Sequence, residues 1–207
     1  MNFNVKETME RLSKVRPIFH AESDFQHALA WQICEDNKGS KARLETKPLA
    51  EENLFLDISI ESENKKMAIE CKYLTRKLVT SVGEEHFSLR DQSAHNQRRY
   101  DVMKDIARIE HFVKEKAVHT GLVVVLTNDS QYWTPKRKSN PSDKEFRLTE
   151  GRKVTGELTW GIDASSGTTK GRESSIKLEN EYELSWSDYS SFESSIGGNF
   201  RYLAITW

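Results

Sequence analysis

Residues 54–73 read LFLDISIESENKKMAIECKY, and the alternation inside this stretch decides the fold. Leu56, Ile58 and Ile60 alternate with Phe55, Asp57 and Ser59. After the wholly polar residues 61–66, Met67, Ile69, Cys71 and Tyr73 alternate with Ala68, Glu70 and Lys72. Successive strand residues point to opposite faces, so the pattern predicts two β-strands joined by a short turn. Glu70 and Lys72 then share a face, away from Ile69 and Cys71. If the hairpin folds about the Glu63–Asn64 junction, Asp57 lies opposite Glu70. Two carboxylates and one ammonium would project from one face of a sheet. Oxygen ligands of this kind suit Mg²⁺ or Mn²⁺. A neighbouring lysine suits stabilisation of charge on a phosphate, or activation of a water.

The acid-x-lysine spelling alone carries little weight in a chain that is 30% charged. It recurs as Asp36-Asn37-Lys38, Glu45-Thr46-Lys47 and Glu63-Asn64-Lys65. Only Glu70-Cys71-Lys72 lies inside an alternating apolar strand that follows a second such strand bearing an aspartate. Aspartate is depleted from strand interiors, so Asp57 between Leu56 and Ile58 needs a reason. The plain alternative is an amphipathic hairpin with a solvated polar face.

Upstream, residues 4–15 predict a helix with Met9, Leu12 and Val15 on one side, ended by Pro17. A second helix opens near Ala21, with Ser23 and Asp24 as acceptable caps and Phe25, Ala28, Leu29 and Ile33 at helical spacing. Residues 41–48 read as a weak strand. Downstream, residues 83–96 read as a polar loop, and its His86 and His95 as solvated loop residues. A long helix follows over 96–116, with Val102, Ile106, Ile109 and Val113 as its apolar stripe. Its charged residues, Arg98, Arg99, Lys104, Asp105, Arg108 and Glu110, fall mostly elsewhere. Residues 121–127, GLVVVLT, predict a strand buried on both faces. The order is then α-β-β-β-α-β.

Asp57, twelve intervening residues and Glu70-Cys71-Lys72 resemble the signature of the PD-(D/E)xK nuclease superfamily, although Leu56 stands where that signature has proline. The resemblance spans roughly residues 22–127. It implies an α/β, restriction-endonuclease-like core with a mixed central sheet flanked by helices. It also implies a metal-dependent nuclease acting on a phosphodiester of DNA and leaving a 5′-phosphate. Asp57 and Glu70 would hold Mg²⁺ or Mn²⁺, joined by the Cys71 carbonyl. Lys72 would sit by the scissile phosphate. Members often carry an acid on the helix before the first strand, and Glu22 matches by position; a helix dipole also favours an acid there. Gln97 and Tyr100 are loosely similar to a glutamine and a tyrosine that some members carry after the lysine. A restriction, defence or DNA-processing role would fit.

Other candidate nucleic-acid contacts are Arg76 and Lys77, which follow the site closely, and Arg98 and Arg99, whose guanidinium groups can fork onto phosphate. The basic run Lys136, Arg137 and Lys138 is a candidate backbone contact.

Residues 128–207 are expected to be a β-rich extension of the domain formed by residues 1–127. Segments 145–148, 153–160, 176–186 and 200–207 read as strands, and 161–175 as a loop. Trp133, Trp160, Trp186 and Trp207 are expected to fill a core rather than stack on bases. The 207 residues hold 31 Lys and Arg against 32 Asp and Glu. That near-balance argues against a protein that coats nucleic acid, while an acidic metal site offsets basic contacts in a nuclease. Cys34 and Cys71 make no CxxC motif, so zinc is not expected, and a reducing cytoplasm fits better than a disulfide. The N-terminus has no apolar run of a secretory signal, and no stretch approaches a membrane span. Cutting both strands would be easier for a homodimer. A different class remains open: a nuclease fold without turnover, binding nucleic acid or a protein partner. Intact Asp57, Glu70 and Lys72 argue against it.

Overall fold

The hairpin forms in the expected register. Strands β2 (Leu56–Ser62) and β3 (Lys65–Leu74) pair antiparallel, with Ile58 opposite Ile69 and Ser62 opposite Lys65. The turn is only Glu63 and Asn64, both with positive φ. Two-residue turns of that hand match the twist of the flanking strands. The computed structural model describes residues 3–49, 54–135, 141–194 and 196–207.

The chain is an α/β protein built on a mixed six-stranded sheet. Helices α1 (Val5–Val15) and α2 (Glu22–Asp36) precede β1 (Lys41–Thr46), which pairs antiparallel with β2. After β3 comes a hairpin, β4 (Leu78–Val82) and β5 (Glu85–Leu89), then α3 (His95–Lys114) and β6 (Thr120–Thr127). Strand β6 lies parallel to β3. The remaining chain forms a 3-10 turn (Lys144–Phe146), β7 (Arg152–Leu158), the short α4 (Ser166–Thr169), β8 (Ile176–Leu184), β9 (Trp186–Ser191) and β10 (Asn199–Thr206). The sheet order is β1-β2-β3-β6-β10-β9, and β4–β5 and β7–β8 are separate hairpins.

Two apolar layers sandwich the sheet. On one face, Ile58, Ile69, Cys71, Tyr73, Leu122 and Val124 pack under α1 and α2. On the other, Ala68, Leu74, Val123, Val125 and Leu203 pack under α3 and the β7–β8 hairpin. The alternation in β3 therefore turns Glu70 and Lys72 toward α3. Strand β6 is buried on both faces, as its continuous apolar run predicts. Gly121 makes close helix packing possible, because a Cβ there would collide with the Ile109 side chain of α3.

Several expectations change. Residues 85–89, inside the expected loop, form the second strand of a hairpin with residues 78–82, pinned by Phe87 stacking on His20 at 4.3 Å. His95 begins α3 and pairs with Asp129 at 2.7 Å, so it is not a solvated loop residue; His86 is exposed and meets the Ser81 hydroxyl at 2.7 Å. Helix α2 starts at Glu22 without a side-chain cap. Asp24 instead accepts from the His20 N–H and pairs with Arg16. Segment 145–148 is not a strand: a 3-10 turn covers Lys144–Phe146 and residues 147–148 are irregular, because Asp143 draws in Arg99 and Arg147 while Phe146 is buried. The expected strand 176–186 splits at Ser185, where the Trp186 N–H and indole N–H bond Glu150 and Leu148 and carry the chain into the main sheet. Strands β9 and β10 therefore extend that sheet beyond β6. The four tryptophans of the C-terminal part do pack in or against a core: Trp186 is buried in it, Trp160 stacks on Tyr100, Trp133 meets Trp186, and the Trp207 indole donates to Tyr182. No helix among the described residues is long and apolar enough to cross a membrane.

Candidate functional site

Strand β3 loses its β2 neighbour beyond Ile69, and two carboxylates take over that edge. The Asp57 Oδ2 accepts the Cys71 N–H at 2.8 Å, and the Glu22 Oε2 accepts the Tyr73 N–H at 2.8 Å. Asp57 is brought there by the hairpin register. Glu22 is brought there as the first residue of α2, which lies over this end of β3. Both acids flank the Cys71 carbonyl, which accepts from the Lys72 Nζ at 3.2 Å.

On the α3 side, the strand's acid and base each meet an opposite charge. The Lys72 Nζ lies 2.9 Å from the Asp105 Oδ2. The Glu70 Oε2 lies 2.5 Å from an Arg108 nitrogen, and Arg108 also donates to the Asp105 Oδ1 at 3.0 Å. Asp105 and Arg108 were not singled out from the sequence. A signal was there: at 3.6 residues per turn, Asp105 falls between Val102 and Ile109, inside the apolar stripe. A carboxylate on a buried stripe requires a partner.

Asp105 keeps a hydrogen bond on its Oδ1 and lacks one on its buried Oδ2, whereas Glu70 lacks one on both oxygens. The Glu70 side chain is 1% exposed, with the arginine nitrogen lying close but out of line. Burial, with Asp105 adding to it, pushes its carboxyl up to about 9 despite Arg108. Burial likewise raises Glu22, opposed by Lys72 and the Tyr73 N–H. For Lys72, burial alone would lower the ammonium, but Asp105 and Glu22 outweigh it and hold it above its ordinary value. Lys72 is thus a fixed positive charge rather than a ready base. Fully ionised, four carboxyl groups (Glu22, Asp57, Glu70, Asp105) face two cations (Lys72, Arg108), a formal deficit of two positive charges.

An all-oxygen donor set, an orphaned buried carboxylate oxygen and a two-charge deficit suit a hard divalent cation. The side chains are not converged as a ligand set, however. Asp57 and Glu22 are turned onto backbone N–H groups, and among the described residues no group of three or more His, Cys, Asp or Glu is placed to hold a metal.

The other candidate contacts lie variously. Arg76 is half-buried beside Asn128, and Lys77 is exposed, both just past β3. Arg98 is half-buried in the first turn of α3. The Gln97 amide donates to the Gly167 and Thr168 carbonyls, and the Tyr100 hydroxyl to that of Ser174, so both serve the α3–loop contact. Arg99 is withdrawn as a phosphate contact: it is 0% exposed, bonded to Asp143 and the Gln131 carbonyl, and packed on Tyr132. Lys136, Arg137 and Lys138 lie outside the described residues. No protein-family model, curated protein or solved structure matches the chain.

Proposed function

We propose that this chain is a metal-dependent nuclease of the PD-(D/E)xK type, with a restriction-endonuclease-like core, hydrolysing phosphodiester bonds in DNA. The observation that carries the reading is Glu70: a buried carboxyl without a hydrogen bond on either oxygen, grouped with Asp57, Glu22 and Lys72 around the stretch of β3 beyond its pairing with β2. The α2-β1-β2-β3-α3-β6 order, interrupted only by the β4–β5 hairpin, supports it.

Asp57 and Glu70 would hold Mg²⁺ or Mn²⁺, with the Cys71 carbonyl and Glu22 completing the set. A divalent ion bound there supplies polarisation of the phosphate and a more acidic water. Lys72, kept protonated by Asp105 and Glu22, places a positive charge beside a pentacoordinate phosphate. Burial of this edge under α2 and α3 lowers the local dielectric and strengthens that charge. Arg76, Lys77 and Arg98 are left to hold the polynucleotide backbone.

A specific observation favours a second reading, a nuclease fold without turnover that binds nucleic acid or a protein. Glu70 and Lys72 are both engaged by α3, as they would be if their only task were to dock helix on sheet. Cleavage of supercoiled plasmid and single-stranded circles with Mg²⁺ or Mn²⁺ separates the two. Metal-dependent cutting, stopped by EDTA and reduced at least about a hundredfold in a folded Lys72→Ala variant, is expected for the nuclease. Binding of DNA without cutting under any metal supports the second reading.

A further inference from the structure

The four charges between β3 and α3 form a chain of unequal links: Glu70 to Arg108, Arg108 to Asp105, Asp105 to Lys72. Asp105 uses one oxygen on each cation, with a hydrogen bond to Arg108. Glu70 has Arg108 alone, and without hydrogen-bond alignment. Arg108 is therefore anchored by Asp105 on its own helix and merely rests against Glu70. Its side chain is 19% exposed, whereas that of Glu70 is 1%. The guanidinium thus has somewhere to go and the carboxylate does not.

A guanidinium balances one negative charge and binds best as a planar fork. A divalent ion carries twice the charge and accepts oxygen ligands from several directions. Misaligned contact with one carboxylate forfeits much of the strength of a charge-assisted hydrogen bond. We infer that Arg108 is a built-in counter-cation for Glu70, which a divalent metal ion displaces, leaving the guanidinium on Asp105 alone. The inference rests on the reading of Glu70 as a metal ligand. By linkage, Arg108 weakens metal binding by the same factor that metal weakens its hold on Glu70. Arg108 is a positioning residue here: it lies against the buried Glu70 side chain until metal arrives, then stands at the partly exposed rim with donors free for an anion.

The test is calorimetric titration of Mn²⁺ into the wild-type chain, Arg108→Gln and Glu70→Gln. Arg108→Gln is expected to bind about tenfold more tightly than wild type, the size of one charged contact removed from the competition, and Glu70→Gln to lose binding. The wild-type chain alone supplies a second readout should Arg108→Gln fail to fold. The Arg108 Nε is buried and without a hydrogen-bond partner, which shields its N–H signal from solvent exchange. In a Mg²⁺ titration followed by NMR, that signal should move in step with the Glu70 side-chain carbon. Wild type that binds through Glu70 while Arg108→Gln binds equally or more weakly overturns the displacement and leaves the metal-site reading intact. So does an Arg108 signal that stays still while Glu70 moves. Failure of wild type and Arg108→Gln alike to bind Mn²⁺ overturns both, and plasmid cleavage then reports on the nuclease reading separately.

Discussion

Two buried glutamates reach across the packing around α3 and end differently. Glu110, on α3, crosses to β8. There its Oε1 accepts the Asn180 N–H, the Asn180 side-chain amide and the Tyr182 hydroxyl, and its Oε2 accepts the Glu179 N–H. Glu70, on β3, crosses to α3 and meets one misaligned arginine. Both are nearly inaccessible to water. A buried carboxylate with four donors is complete as structure; one with an orphaned oxygen holds binding capacity in reserve. The contrast separates a glutamate that fastens a hairpin from one whose oxygens are left without a hydrogen bond, and it does so without appeal to the acid-x-lysine spelling.

Substitution should expose the difference. Glu110→Ala leaves four donors without their acceptor and frees the β7–β8 hairpin from α3. It is expected to cost about 4 kcal/mol, read from denaturant midpoints, with Mn²⁺ affinity unchanged once folded. If Mn²⁺ affinity fell along with stability, the two glutamates would not be separable as described. Asp105→Asn comes next. It removes the charge that holds both Lys72 and Arg108, and should cost about 2 kcal/mol, since buried partners are left uncompensated. Its metal affinity should fall, because the freed Arg108 competes more strongly for Glu70 and one negative charge beside the ion is gone. Glu70→Gln should shift stability by no more than about 1 kcal/mol, because a neutral amide replaces a poorly satisfied acid. It should nonetheless abolish Mn²⁺ binding. A large stability loss at Glu70 would make that residue a second Glu110 and favour the non-catalytic reading.

Much of this was legible beforehand, for identifiable reasons. Period-two alternation set the β2–β3 register and therefore the Asp57–Glu70 placement, and the α3 stripe and the valine run of β6 were unambiguous. The β4–β5 hairpin was hidden because only Leu78, Phe87 and Leu89 are buried on it and its other residues are polar. Strand β9 was hidden because Trp186 continues the parity of β8. The partners of buried charges were the least legible. Nothing in the spelling of residues 95–114 says that Arg99 is sealed against Asp143 while Arg98, its neighbour, stays half-exposed. Pairings across 30 to 70 residues are decided by tertiary packing, and a buried helix face tolerates charge wherever a partner arrives.

The smallest effect concerns a third carboxylate, Asp129, which falls on the Glu110 side of the contrast. Burial would raise it, but the His95 ring at 2.7 Å, the Gln131 N–H and nearby Arg76 outweigh burial and hold it below its usual value. Between its folded pKa and the unfolded value of about 3.9, the unfolded chain binds the proton and the folded chain does not, so stability rises with pH in that window. The contribution is fully present above the unfolded value and is lost as pH falls through the folded one. His95→Ala should remove about 0.5 kcal/mol at neutral pH and make the acid limb of the stability curve shallower. Unfolding by urea at a series of pH values from 2 to 6 reads both. A limb unchanged by His95→Ala would mean that backbone donors alone satisfy Asp129, and that His95 has capacity of its own to spare.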